Sequence, residues 1–308
     1  MKVLIGKTFG IGNVVLSIPM IKAISSIAED VAVLIGNTPD DYGALHVLST
    51  LQASAFKPRN FRILINPPGL SERFDVAVMA IPFDGRWRNG VDFIADKVVD
   101  CRKRPDNIDR LGFDMWKKHE VLYQMENAYE LGFNGTVPGT RFYGAENDDK
   151  DLVYLGIGYK RDIGGFGLSK HFGNDRFAEL ICAIRSRHPT AKFVSTGNHA
   201  DLIQVGAPIM KKIANPEVYR FESGSGLPYA FNMLGRCGSY IGNDTGMMHV
   251  AASLGMPTHG LFLSQDLAVK NHPWGPHAGR WVVSSLDADL NEIADYFVKI
   301  TWGDGVKV

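Results

Sequence analysis

The sequence predicts an α/β protein built from two parallel-sheet domains that face each other across a cleft. Three observations predict it. The chain has 308 residues, enough for two domains of about 150 residues each. Short apolar runs alternate with segments of helical apolar spacing in both halves, the mark of parallel sheets with crossover helices. Between the halves, Gly135–Lys150 collects Gly, Pro and acidic residues (Ala145-Glu-Asn-Asp-Asp-Lys150) and reads as a linker.

In chain order, Lys2–Lys7 is an apolar strand leading to the loop Thr8-Phe-Gly-Ile-Gly-Asn13. A helix is expected over Val14–Ile27, starting just before Pro19 or bent there, because proline lacks the interior N–H. Gly10, Gly12 and Asn13 suit a nest-like turn at its N-terminus; a ligand loop and a plain tight turn are both consistent with it. Further strands are read at Val31–Gly36, Phe61–Ile65, Asp75–Ile81 and Lys97–Cys101, with helices at 40–52 and Met115–Leu131. The second half repeats the alternation. Strands fall at Leu152–Ile157, Lys192–Ser195, Val218–Phe221, Ser239–Ile241, Thr258–Leu263 and Trp281–Ser284. Helices fall at Asp175–Arg187, Pro228–Leu234, 244–254 and 288–301, with a glycine-rich loop at Tyr159–Lys170.

Composition narrows the class. Lys plus Arg and Asp plus Glu each number 33, so the formal net charge is zero and gives no global case for nucleic acid or membrane binding. One basic concentration runs through Arg102, Lys103, Arg104, Arg110, Lys117, Lys118 and His119, read either as a solvated face or as a patch for an anionic acceptor. Cys101, Cys182 and Cys237 have no metal spacing and are expected to be buried free thiols. The N-terminus lacks signal-peptide features and no apolar run reaches the ~18–20 residues of a membrane span. A cytoplasmic protein without a structural metal is the expectation.

Chemistry concentrates in Ile241-Gly-Asn-Asp-Thr-Gly-Met-Met-His-Val-Ala-Ala-Ser-Leu-Gly-Met-Pro257. Asp244 is the expected N-cap of a helix that Gly255 and Pro257 terminate. Thr245 and His249 share one helix face, and Gly246 lets a ligand approach the backbone. Exposed N–H groups, a hydroxyl and an imidazole at a helix start can cradle a pyrophosphate. Against this, Asp-Thr-Gly is also a common cap and His249 could be a bonded core residue. Because ligands bind beyond the carboxyl ends of parallel strands, the 8–13 loop would meet the 159–170, 196–201 and 244–249 loops across the cleft.

These residues resemble a known family. Gly242-Asn-Asp-Thr-Gly-Met-Met-His249 with Gly255-Met-Pro257, Lys170 before Asp175-Arg-Phe-Ala-Glu-Leu180, and Gly12-Asn-Val-Val-Leu-Ser-Ile-Pro19 are similar to segments of the bacterial lipopolysaccharide heptosyltransferases, glycosyltransferase family 9. The resemblance implies a GT-B fold, with a Rossmann-like acceptor-binding domain over 1–148 and a Rossmann-like nucleotide-sugar-binding domain over 149–308. The terminal helix, 288–303, would pack back on the N-terminal domain. It implies an inverting, metal-independent transfer of a heptose-like or other hexose sugar from a nucleotide-diphosphate donor to a glycan or glycolipid acceptor, as in lipopolysaccharide biosynthesis, with no cofactor and with peripheral membrane contact. Lys170, Asp244, Thr245, Gly246 and His249 would hold the donor diphosphate, and Asp201 would accept from the ribose hydroxyls or serve only as a cap.

Two matches depart from the family. His171-Phe172 stands where Trp-Pro is usual, and Asn13 stands where the family has an aspartate proposed as general base. An amide cannot take a proton at neutral pH, so Asn13 can at most orient the acceptor. Three explanations stay open: another group such as Asp84, His119 or an acidic residue near the cleft acts as base, donor cleavage leads, or the chain binds a nucleotide sugar without transferring it. A sugar-nucleotide epimerase would need a carboxylate pair that the sequence does not display, and transfer to nucleic acid rests only on the basic run.

Overall fold

The computed structural model describes residues 1–6, 10–35, 41–65, 72–79, 94–100, 118–144, 146, 148–158, 171–224, 226–262, 264–275 and 281–303. They divide into two units, Met1–Tyr143 and Gly144–Val308.

In the first unit, strands β1 (Lys2–Gly6), β2 (Asp30–Ile35), β3 (Phe61–Ile65), β4 (Arg73–Met79) and β5 (Ile94–Val99) form a parallel sheet in the order β3-β2-β1-β4-β5. The central strands are runs of buried Val, Leu and Ile, as a sheet covered on both faces requires. Helix α1 (Ile11–Ile27) packs on α2 (Tyr42–Ala53) and α3 (Glu120–Glu130). It starts three residues before the expected Val14 and carries Pro19 in its interior. The lost N–H bond there is offset by packing, since every residue from Val14 to Ile21 is buried. Lys22, on α1, donates to the carbonyls of Gly139 (3.0 Å) and Arg141 (2.6 Å), and burial lowers its pKa to about 8.

The second unit holds β6 (Asp149–Gly156), β7 (Lys192–Gly197), β8 (Tyr219–Ser223), β9 (Cys237–Asn243), β10 (Thr258–Phe262) and β11 (Trp281–Ser285). All pair in parallel, in the order β11-β10-β9-β6-β7-β8. The chain thus begins at a central strand, winds to one edge, and returns to wind to the other. This is the doubly wound arrangement whose ligand crevice lies where the winding reverses, between β6 and β9.

Helices α4 (Asn174–Arg187), α5 (His199–Asp201), α6 (Ala207–Ile213), α7 (Gly226–Arg236), α8 (Gly246–Ser253), α9 (Gln265–Asn271) and α10 (Leu290–Trp302) complete the unit. A π-helical stretch, Leu202–Gly206, joins α5 to α6. The sequence reading missed 199–213 and α9, because Gly206 and Pro208 interrupt the first pattern and α9 spans seven residues. Helix α10 is capped by Asp289 and packs on α4 with Ile293, Ala294 and Phe297 in the core. Cys237 is buried, which pushes its thiol up to about 12, but Cys182 is exposed on α4, contrary to the expected burial. Cys101 lies outside the described residues. No helix among the described residues is long and apolar enough to cross a membrane.

Candidate functional site

At the winding reversal of the second unit, Gly156 of β6 pairs with Gly242 of β9. A Cβ on Gly242 would stand 2.3 Å from the Gly156 carbonyl oxygen, so the two backbones approach as only glycine allows. Strand β9 then delivers Asn243, Asp244 and Thr245 to the start of α8.

Asn243 is fully buried and uses its whole side chain. Its Oδ1 accepts from the Phe172 N–H (3.1 Å), and its Nδ2 donates to the carbonyls of Ile157 (3.3 Å) and Gly158 (3.2 Å). One amide therefore ties Ile157 and Gly158 to Phe172 beside the start of α8. The 159–170 loop, with Lys170, lies outside the described residues. Tyr240 donates to the Asn243 carbonyl (3.1 Å), and its hydroxyl lies 3.2 Å from Thr245 Oγ1. It stacks on Tyr154 at 5.9 Å between ring centroids, and Tyr154 in turn hydrogen-bonds Thr196. Burial raises the pKa of both phenols, which keeps them as neutral donors.

The cap differs from expectation. Thr245, not Asp244, is the N-cap, and α8 runs over Gly246–Ser253 instead of 244–254. The backbone leaving β9 stays extended through Thr245 (φ −136°, ψ 168°), so helical geometry begins at Gly246. The Thr245 side chain makes no capping bond, and the Met248 N–H donates to the Thr245 carbonyl (3.1 Å), which leaves the N–H groups of Gly246 and Met247 at the helix end. The N–H of Asp244 donates to the Leu261 carbonyl (3.1 Å), joining the loop to β10. Its carboxylate lies 4.0 Å from Nε2 of His249, and both side chains are buried. At that distance the contact is electrostatic and not a hydrogen bond. The carboxylate that seemed to oppose an anion at this helix end thus faces an imidazole from within the same helix.

Asp201 closes a capping box: its N–H donates to Asn198 Oδ1 and its Oδ2 accepts from the Asn198 N–H, both at 2.9 Å. It also lines a cavity of about 450 Å³, with Tyr154, Thr196, Glu222, Tyr229 and Met247 among the other walls. Cap and pocket wall are the same residue. Sequence reasoning missed Glu222, Tyr240 and Asn243. Glu222-Ser-Gly-Ser-Gly226 between a strand and a helix was an available signal, since such loops lie on the ligand side of a parallel sheet. Gly224 (φ +85°) and Gly226 (φ +70°) make that turn.

In the first unit, Gly10 (φ +58°) is the N-cap of α1. The expected nest over Gly10, Gly12 and Asn13 is not formed, because Gly12 and Asn13 already lie in the first helical turn. The Asn13 carbonyl accepts from Ser17 Oγ (2.5 Å). His119, considered as a base, is buried and caps α3 through Nδ1, accepting from the Val121 N–H (3.2 Å). Of the basic run, 102–117 lies outside the described residues, as does Asp84, and Lys118 pairs with Glu126 at 3.4 Å. Asp-x-Asp spacings occur at Asp149–Asp151 and Asp287–Asp289, where Asp151 bonds His188 (2.8 Å) and Asp289 caps α10. Among the described residues, no group of three or more His, Cys, Asp or Glu could hold a metal ion.

Comparison with known proteins agrees with this fold. Residues 166–288 match the family model of glycosyltransferase family 9 (heptosyltransferase) and so carry a glycosyltransferase domain. That segment contains Lys170, Asp201, Glu222 and the whole Asn243–His249 run. No curated protein matches the sequence. The fold is similar to that of E. coli heptosyltransferase WaaC with ADP, at TM-score 0.70 and 14% identity, covering 97% of this chain and 100% of that one. It is also similar to E. coli ADP-heptose lps heptosyltransferase II (TM-score 0.63, 15% identity, 98% of each chain). A glycosyl transferase family 9 structure from Veillonella parvula gives 0.63 and 14%, over 97% of this chain and 95% of that one. At these identities the likeness establishes the two-sheet GT-B fold.

Proposed function

We propose that this chain, with its glycosyltransferase family 9 domain, transfers a sugar from a nucleoside-diphosphate donor to a glycan-type acceptor, with inversion at the anomeric carbon and without a metal. The observation that carries the reading is the start of α8. The N–H groups of Gly246 and Met247, the Thr245 hydroxyl and the Asp244–His249 pair sit at the winding reversal of a doubly wound sheet, next to a cavity of nucleoside size. Among similar structures are those of E. coli heptosyltransferase WaaC with ADP and with ADP-2-deoxy-2-fluoro heptose.

In the transfer, the acceptor hydroxyl attacks the anomeric carbon, the bond from that carbon to the diphosphate oxygen breaks, and the nucleoside diphosphate leaves with the negative charge. Groups aimed at the charge that develops contribute most to the rate. Here those groups are the N–H donors of Gly246 and Met247, the Thr245 hydroxyl, the α8 dipole and the Lys170 ammonium. Asp201 accepts from the ribose hydroxyls with the oxygen its capping bond leaves over. Asn13 orients the acceptor and does not take its proton, so the proton passes to water or to another group.

Asn13 also favours a second reading, a nucleotide-sugar-binding protein without turnover. A thermal-shift screen of nucleotide sugars followed by product mass spectrometry separates the two. The first reading expects a stabilising donor and a glycosylated product; the second expects stabilisation alone. Lys170→Ala and Asp244→Ala should each weaken donor binding or turnover, and unchanged behaviour in both would refute the diphosphate site.

A further inference from the structure

The cavity that Asp201 lines extends across the sheet, and the strand order sets what lies along it. Its walls come from the first turn of α8 (Met247), from β6 (Tyr154), from the end of β7 (Thr196, Gly197) and from the end of β8 (Glu222, Gly224). Those strands lie side by side in the order β9-β6-β7-β8. Three strand spacings separate the start of α8 from Glu222, about 14 Å, which suits an extended nucleoside diphosphate. With the diphosphate at α8 and the ribose at Asp201, the base reaches the end of β8. There it meets Tyr229 and the side chain of Glu222.

On this placement, which rests on the donor-site reading above, we infer that Glu222 reads the donor base and selects guanine over adenine. The Glu222 carboxylate is held in place by Arg220, whose Nε donates to Oε1 at 2.9 Å from two residues earlier on the same face of β8. A carboxylate only accepts hydrogen bonds. Guanine offers it two adjacent donors, N1–H and the N2 amino group. Adenine offers an amino group next to the N1 lone pair, which faces the carboxylate without a proton between them. Uracil offers one N–H between two carbonyls. Gly224 and Gly226 add no side chain to this wall of the cavity, and Glu222 brings the carboxylate to it.

The test measures Kd for GDP, ADP and UDP by calorimetry with the whole chain, before and after Glu222→Gln. The wild type should bind GDP about tenfold to a hundredfold more tightly than ADP, the range that charged hydrogen bonds supply. Glu222→Gln should shift the preference toward ADP, because an amide can donate and accept and so satisfies the adenine edge. Equal or tighter ADP binding by the wild type, or an unchanged GDP-to-ADP ratio in the variant, overturns the assignment while the donor site stands. Absence of binding by all three nucleotides overturns the donor site, and this inference with it. An unchanged unfolding temperature of the free variant shows that the fold is intact.

Discussion

The Tyr240 hydroxyl lies 3.2 Å from Thr245 Oγ1 while donating to the Asn243 carbonyl at 3.1 Å. A buried phenol from the middle of β9 thereby fixes the residue that caps α8. Tyr240→Phe keeps the stack on Tyr154 but releases both contacts. Stability should fall by about 1–2 kcal/mol, the cost of leaving a buried acceptor without its donor. Nucleoside-diphosphate binding should weaken about fivefold, since Thr245 loses its fixed position at the helix end. Calorimetric titration checks the binding, and unaltered affinity would limit Tyr240 to packing.

Asn243 makes a different kind of contribution, because it ties the residues after β6, Ile157 and Gly158, to Phe172 before α4. Asn243→Ala leaves the Phe172 N–H and two carbonyls without their partner, which should cost about 2–3 kcal/mol by denaturant unfolding. Asn243→Asp should be worse still, since it sets a carboxylate against the Ile157 and Gly158 carbonyls. Donor affinity should fall in both variants, although Asn243 is fully buried. A variant with lower stability and full donor affinity would separate the clamp from the site.

How much of this was legible follows from what sets each feature. Local chemistry could be read: the apolar runs of β1, β2 and β6, and the Gly-Asn-Asp-Thr-Gly stretch at the turn into α8. Where tertiary geometry decides, reading failed. Asp244 has the side chain of a cap, yet its carboxylate faces His249 because β9 stays extended one residue further, to Thr245. Asn13 was read as loop because Pro19 argued for a later helix start, and the burial of α1 overrides that penalty. Glu222 and Tyr240 carry no motif. Their importance depends on the strand order, which brings residues 154, 196 and 222 to one cavity.

Asn13 can be tested by restoring a carboxylate. It is the third residue of α1, and the first turn of that helix has no acidic residue. Asn13→Asp places negative charge near the positive end of the helix dipole and should stabilise the first unit by about 0.3–1 kcal/mol. If the residue faces the acceptor hydroxyl, turnover should rise and acquire a dependence on a group titrating in the carboxylate range. Rate against pH for both proteins decides the matter. Higher stability with an identical rate profile would place Asn13 outside the reaction.

His259 predicts how the second unit responds to acid. It is fully buried on β10, its Nε2 lies 2.8 Å from Ser284 Oγ, and Nδ1 has no hydrogen-bond partner among the described residues. Burial lowers its pKa to about 3, against 6.5 for the free side chain. The native state thus keeps the imidazole neutral between pH 3 and 6.5, while the unfolded chain takes up a proton. The unfolded state binds more protons there, so stability falls as pH drops below 6.5 and continues to fall until pH 3. From pH 7 to pH 5 this group alone should remove about 2 kcal/mol. His259→Leu deletes the titration, at some cost at pH 7 from the Ser284 hydroxyl left behind, and should flatten that part of the profile. Urea unfolding of both proteins at pH 7, 6 and 5 measures it; parallel acid slopes would show that His259 is charged or hydrated in the native state.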